Sequence, residues 1–251
     1  MKHILIHTIL GILILSVGCK KAEDRNCLKS NGNTSSLKLN FENEVDSLFL
    51  FDNLEYIIIP DSINYIELIG GKNLLNHIDA QYSNAGISIR NENKCNFLRS
   101  YKQKIKAEIH IKSIRAILYE GGETLTNLDT LKSPELRLTI RDGAGPVDLT
   151  VENGYMSAVV THGWGDFTLH GKTSNTFLNC STNSFCNALD LKTANSLVVN
   201  SQTEGDMKVN VNGTQLKAIL NRNGNILYKG VPNTVQLIDS VGNGQLIDLN
   251  E

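Results

Sequence analysis

Two alternating runs, Val147-Asp148-Leu149-Thr150-Val151 and Met156-Ser157-Ala158-Val159-Val160, fall within one stretch of about 20 residues, and the pattern then comes round again. Steps of 20 from Leu138 meet Leu138, Ala158, Leu178, Val198, Ala218 and Ile238. Steps from Leu149 meet Leu169, Leu189, Val209, Lys229 and Leu249, and steps from Val147 meet Phe167, Asn187, Met207, Leu227 and Ile247. A fixed period of this length means one short unit stacked on copies of itself, with like positions forming columns through a shared core.

Within each unit the apolar spacing is two, which is the period of a strand. The alternate positions are polar: Asp148, Thr150 and Glu152, then Thr168, His170 and Lys172, then Asp190 and Lys192, then Lys208, Asn210 and Asn212. Glycine recurs too often for any helix of useful length. One corner is marked by Gly143, Gly145, Gly163, Gly165, Gly205, Gly224, Gly242 and Gly244, another by Asn153-Gly154 and Asn212-Gly213. Both are expected to supply positive φ. A meander would pair neighbouring runs and would not demand a constant period. The expected fold is therefore all-β: a right-handed parallel β-solenoid (β-helix) with about 20 residues per coil, the hand following the crossover rule.

Asn187 and Lys229 interrupt their columns. A local bulge that turns Phe185 inward would explain Asn187. Lys229 falls where the core thins and a long side chain reaches water. Residues 136–251 form the regular part. Residues 37–135 form a less regular β-rich N-terminal part, with candidate strands Leu48–Phe51, Tyr56–Ile59, Tyr65–Ile69, Gly86–Ile89 and Ile105–Ile111. Ile111, Leu131 and Val151 share a phase, so the coil is expected to begin before Leu136 and the earliest strands to close its end.

Residues 1–18 have the layout of a lipoprotein signal peptide: Lys2 and His3, then an apolar run to Val17, then Gly18 and Cys19. The run is short for a membrane span. Cys19 is the expected lipidation site, although Ser16 stands where Leu is usual. The alternative is an ordinary secretory signal with a chance cysteine. Residues 19–36 are polar and rich in Asn, Ser and Gly, as in a flexible tether. The protein is thus expected to be exported and held on the outer membrane by the lipid at Cys19, at the cell surface or on the periplasmic face. The formal net charge is −2, and removing the signal takes one lysine and no acid. That balance gives no reason to expect nucleic acid as a partner. Cys27, Cys95, Cys180 and Cys186 allow three disulfide pairings, and Cys180 and Cys186 either bond or pack as small apolar groups.

Four features could carry function. His162, Trp164, Asp166 and His170 surround a corner, where an exposed Trp could stack on a sugar ring. Spacing fixes no third metal ligand there, so no metal is expected. Lys104, Lys106, His110 and Lys112 alternate with apolar residues and could meet an anionic glycan or lipid head group, with Glu108 in their midst. Asp142, Asp148 and Asp206 lack the Gly-rich nonapeptide of calcium-wound rolls. Polysaccharide cleavage needs paired carboxylates, and none recur on adjacent turns of one face. No enzyme activity and no cofactor are expected. Possible ligand contacts are Trp164, His162, His170, Lys104 and Lys106.

The signal with Cys19, the stretch Lys94-Cys95-Asn96-Phe97-Leu98-Arg99-Ser100-Tyr101-Lys102, the Gly-x-Gly-Asp corners and the closing Asn223-Gly224-Asn225-Ile226-Leu227-Tyr228-Lys229-Gly230 resemble the putative auto-transporter adhesin family with a head GIN domain. The resemblance covers roughly Leu37 to Asn250. Gly163-Trp164-Gly165-Asp166 and Glu204-Gly205-Asp206 keep the corner pattern, while Ser184-Phe185-Cys186-Asn187 has lost it. The resemblance implies exported bacterial proteins, a β-solenoid and an adhesin-like label, and it carries no catalytic residues. A surface glycan or envelope protein, met through the solenoid faces, is the expected partner. A structural module of the envelope, stacking through its terminal coils, is the alternative.

Overall fold

The structure is a computed structural model that describes residues 30–83, 86–94, 104–143 and 145–250. Its N-terminal part holds β1 (Thr34–Asn40), β2 (Ser47–Asp52), β3 (Glu55–Pro60), β4 (Tyr65–Gly71), the one-turn helix α1 (Lys72–Leu75), β5 (Ile78–Ser83), β6 (Gly86–Asn91), β7 (Lys106–Ile111), β8 (Ala116–Gly121) and β9 (Leu125–Asn127). Four long strands come next: β10 (Leu131–Arg141), β11 (Val147–His162), β12 (Phe167–Thr182) and β13 (Cys186–Thr203). The last turns are shorter: β14 (Met207–Asn210), β15 (Gln215–Leu220), β16 (Ile226–Lys229), β17 (Thr234–Ser240) and β18 (Leu246–Asp248).

From β8 onward every strand pairs in parallel with its equivalent one turn away. The result is a β-solenoid of about 7 turns. Each long strand spans two faces and alternates buried with outward residues along both. Alternation is what lets one chain seal a core on one side and meet water on the other.

The columns are real, but their period drifts between 19 and 22. Leu138, Ala158 and Leu178 stack as expected, and Leu178 then meets Val199, not Val198. Val199 continues to Ala218 and Leu237, which takes the place expected of Ile238. Val198 lies on the outer side between Phe177 and Lys217. Phe167 sits on Cys186, so Cys186, and neither Asn187 nor Phe185, fills that column. Phe185 is 53% exposed. Below it the column runs to Met207, Ile226 and Leu246 instead of Leu227 and Ile247. Ala188 and Tyr228 likewise replace Leu189 and Lys229 beside Val209. The cause is two bulges in the β12–β13 ladder, between Thr168 and His170 and between Thr173 and Asn175. A corner one residue shorter precedes them, and each bulge inserts a residue that shifts the rest of the strand by one position.

Positive φ explains fewer glycines than expected. Gly163 has it at one corner and Gly213 at another, and on neighbouring turns Asp142 and Thr182 adopt it without being glycine. Close approach explains the others. A Cβ on Gly145 would lie 1.7 Å from the Glu123 carbonyl oxygen, and one on Gly224 would lie 2.1 Å from that of Gly205.

The N-terminal turns are not laid down in chain order. β2 lies between β6 and β8, and β3 lies between β7 and β9, all in parallel. Leu131 does stack on Val151, but Ile111 pairs with Pro60 because this turn is intercalated. Beyond it, β4 runs antiparallel to β7, β1 to β4 and β5 to β6. These reversed strands and buried Leu74 and Leu75 of α1 close one end. The other end is open: all seven residues of β17 are exposed.

Two tyrosines anchor the N-terminal core. Tyr56 and Tyr119 meet edge to face with centroids 6.4 Å apart. The Tyr56 hydroxyl donates to the Phe51 carbonyl over 2.7 Å, and that of Tyr119 donates to the Glu123 carbonyl. Burial pushes both phenols well above the ordinary range.

Candidate functional site

The first runs of β11, β12, β13 and β14 make one outer face, and both of its ends are corners. At one end Trp164 is 66% exposed, and Phe185 projects from the corner of the next turn. A cleft of about 230 Å³ opens beside Phe185, lined by Asp166, Asn187, Asp206 and Lys208. The backbone beneath it is held by side chains. Asp166 Oδ1 accepts the Phe185 N–H over 2.8 Å. Asp206 Oδ1 accepts the Asn225 N–H over 3.1 Å, and Asn225 Oδ1 accepts the Gln245 N–H over 2.9 Å. The acid of the Gly-x-Gly-Asp corner thus caps the next turn, which accounts for the motif. Phe185 stands in that same series and leaves its side chain free to project outward.

Along the face, His170 bridges two carboxylates. Its Nε2 lies 3.1 Å from Asp148 Oδ1 and its Nδ1 lies 3.4 Å from Asp190 Oδ2. His170 is in register with Asp190 and reaches Asp148 diagonally. His162 is exposed at the end of β11, opposite Arg141. The two histidines therefore stand at separate places. Among the described residues no group of three or more His, Cys, Asp or Glu is arranged to hold a metal.

Lys104 and Lys106 lie elsewhere, at the β7 turn. Lys104 Nζ is 2.7 Å from Glu123 Oε2 and 3.5 Å from Glu55 Oε1. The hydrogen bond to Glu123 raises its pKa above the ordinary lysine value. Lys106 pairs with Glu108 at 3.5 Å. On the same strand His110 stacks on the Tyr65 ring at 3.9 Å and places Nδ1 2.8 Å from Asp61 Oδ2. That hydrogen bond lowers the Asp61 pKa. Lys104 and His110 are therefore paired with acids of adjoining turns, and Lys106 with Glu108 of its own strand, so these three do not form one positive surface. Cys19 and the Cys95–Lys102 stretch lie outside the described residues.

Sequence reasoning turned Phe185 inward, because a strict 20-residue step cannot reveal a 19-residue turn. It also missed the far corner of this face, where Lys172 and Lys192 flank a groove.

The fold has close counterparts among solved structures. A putative adhesin from Bacteroides fragilis shares 18% identity over 88% of this chain and 100% of its own, with a TM-score of 0.77. A putative adhesin from Parabacteroides distasonis has 14% identity over 88% of this chain and 99% of its own, with a TM-score of 0.63. A putative lipid binding protein from the same species has 14% identity, 88% and 100% coverage and a TM-score of 0.64. None of the curated proteins matches. The sequence pattern of one family, described as putative auto-transporter adhesin, head GIN domain, matches residues 45–232, and this chain belongs to that family.

Proposed function

We propose that this chain is a non-catalytic, lipid-anchored envelope protein that recognises a surface glycan in the manner of an adhesin. The observation that carries the reading is the pair of exposed aromatics, Trp164 and Phe185, at the corners of adjoining turns, with Phe185 bordering a cleft that holds Asn187, Asp206 and Lys208. Aromatic faces suit the apolar faces of sugar rings, and amide, acid and amine groups suit their hydroxyls. A corner stapled by Asp166 loses little freedom on binding. The non-catalytic part is supported by Asp148 and Asp190, which are engaged with His170 instead of facing each other across a cleft. The anchor is assigned from Lys2 to Cys19, with the lipid on Cys19 holding the chain on the outer membrane, at the surface or on the periplasmic face.

The test is a glycan array with the purified chain. Saturable binding lost in both Trp164→Ala and Phe185→Ala is expected, and full retention in both sinks the reading. Metabolic labelling with a fatty acid should be lost in Cys19→Ser, and protease shaving of intact cells assigns the leaflet. A second reading, an assembly module, is favoured by the open end, where Leu237, Ile238 and Val241 are exposed. Concentration-dependent oligomers without any glycan binding would favour it.

A further inference from the structure

At the opposite end of the same outer face the strands turn at Asn153-Gly154, Thr173-Ser174 and Thr193-Ala194, and an open groove of about 660 Å³ runs across the three turns. Its charged wall is Glu152, Lys172 and Lys192, which continue a column in strict register from Lys132. Glu152 serves two of the lysines, at 3.5 Å from Lys132 and 2.9 Å from Lys172. Lys192 stands one turn beyond Lys172 and is exposed, and no ion pair among the described residues reaches it. Stacked turns are about 4.8 Å apart, so the two lysines stand on adjoining turns with a single carboxylate on one flank. Like charges directly opposite each other repel. The groove therefore carries a positive excess at Lys192 that no carboxylate among the described residues pairs with.

Behind the charged wall the alternate residues face the core. Asn153, Thr173 and Thr193 are in register and more than nine-tenths buried. Thr173 Oγ1 donates to the Asn175 carbonyl over 3.0 Å, and Thr193 Oγ1 lies 2.7 Å from Thr176 Oγ1. Asn153 has no such partner. Its Oδ1 makes no hydrogen bond, and its Nδ2 reaches only the Met156 sulfur at 4.0 Å. These groups are closed off from the groove, so the polar groups open to a ligand are the partly exposed Ser174 and the exposed Asn212.

We infer that this groove binds an acidic saccharide, with a sugar carboxylate held between Lys172 and Lys192 and sugar hydroxyls met by Ser174 and Asn212 of its lining. This rests on the glycan reading above and names its chemistry and a second contact region. The groove and the Trp164 corner lie at opposite ends of the Phe167–Thr173 run, about 20 Å apart at strand rise. One extended chain can therefore touch both. The charge column explains why the ligand is acidic. The Ser174 hydroxyl and the Asn212 amide in the lining suit the hydroxyls of a saccharide.

The test titrates the full chain with an oligogalacturonate and with the same oligomer after its carboxyls have been reduced to alcohols. The acidic oligomer should bind at least about tenfold more tightly, and the difference should shrink at high salt. Lys192→Gln, at an exposed site, should fold normally and weaken acidic binding by about tenfold while leaving the reduced oligomer unaffected. Inorganic phosphate should compete poorly. Equal binding of the two oligomers overturns the proposal, as does wild-type affinity in Lys192→Gln or full displacement by phosphate. If the array still shows glycan binding that depends on Trp164 and Phe185, only the groove assignment falls. If no saccharide binds at all, both readings fall.

Discussion

Asn200 donates from Nδ2 to Asn179 Oδ1 over 2.8 Å, across one turn of coil and 21 residues of chain. Asn221 donates in turn to Asn200 Oδ1 over 3.2 Å, and Asn179 reaches the Val160 carbonyl at 3.4 Å. The three amides form a ladder along one side of the solenoid. Asn200 is both donor and acceptor, so this middle member cannot be removed without orphaning its neighbours. Asn200→Ala should therefore lower stability by about 1–3 kcal/mol, read as a lower urea midpoint with unchanged slope. An unchanged midpoint would mean that water replaces the ladder freely.

The register across β12 and β13 makes a sharper prediction. Leu178 is fully buried between Ala158 and Val199. Leu178→Ala should cost about 2–5 kcal/mol. Val198 and Val199 are adjacent, but only Val199 is fully buried. Val198→Ala should cost roughly 0.5 kcal/mol or less, and Val199→Ala clearly more. Thermal unfolding of the pair decides which residue occupies the column.

That contrast also shows what was legible in the sequence. Alternation and period were enough for the stacked strands, because a core column is a chemical constraint repeated every turn. The 19- and 21-residue turns were not legible, because a bulge changes backbone count without changing composition. Val198 and Val199 are identical to any pattern. The intercalated N-terminal turn was hidden for a related reason: β2 and β3 are ordinary strands, and their neighbours β8 and β9 come much later in the chain. At the site, Trp164 could be seen as an exposed aromatic at a glycine corner. The neutralisation of Lys104 by Glu55 and Glu123 depends on which turns adjoin, so it could not be seen.

Glu152 gives a titration test of the charge column. Its hydrogen bond from Lys172, reinforced by the charge of Lys132, holds its carboxyl below the ordinary value of 4.5. A depressed carboxylate pKa contributes stability that is present above the unfolded value and is lost as pH falls through the folded one. Side-chain NMR of Glu152 should therefore show a titration below pH 4.5 that moves upward in Lys172→Gln. Lys192→Gln should leave it nearly in place, since Lys192 does not pair with Glu152. A large shift in Lys192→Gln would mean that the two lysines share the carboxylate.

Cys180 and Cys186 approach the core from the two sides of one corner, both buried and both as free thiols. Burial pushes the Cys186 thiol well above its ordinary value of 9.0, and its hydrogen bond with Cys180 adds to the rise. The thiolate is the reactive form, so Cys186 should resist alkylation in the native protein, and burial alone should shield Cys180 from the reagent. Peptide mapping after maleimide treatment at pH 8 should find neither modified until denaturant is added. A thiol whose folded pKa is raised contributes stability that is complete below the unfolded value and is lost as pH rises through the folded one. The urea midpoint should accordingly fall as pH rises above 9.0, and the fall should be shallower in Cys186→Ala. An equally steep fall in that variant would move the alkaline sensitivity elsewhere and leave the thiol pair a purely packing contact.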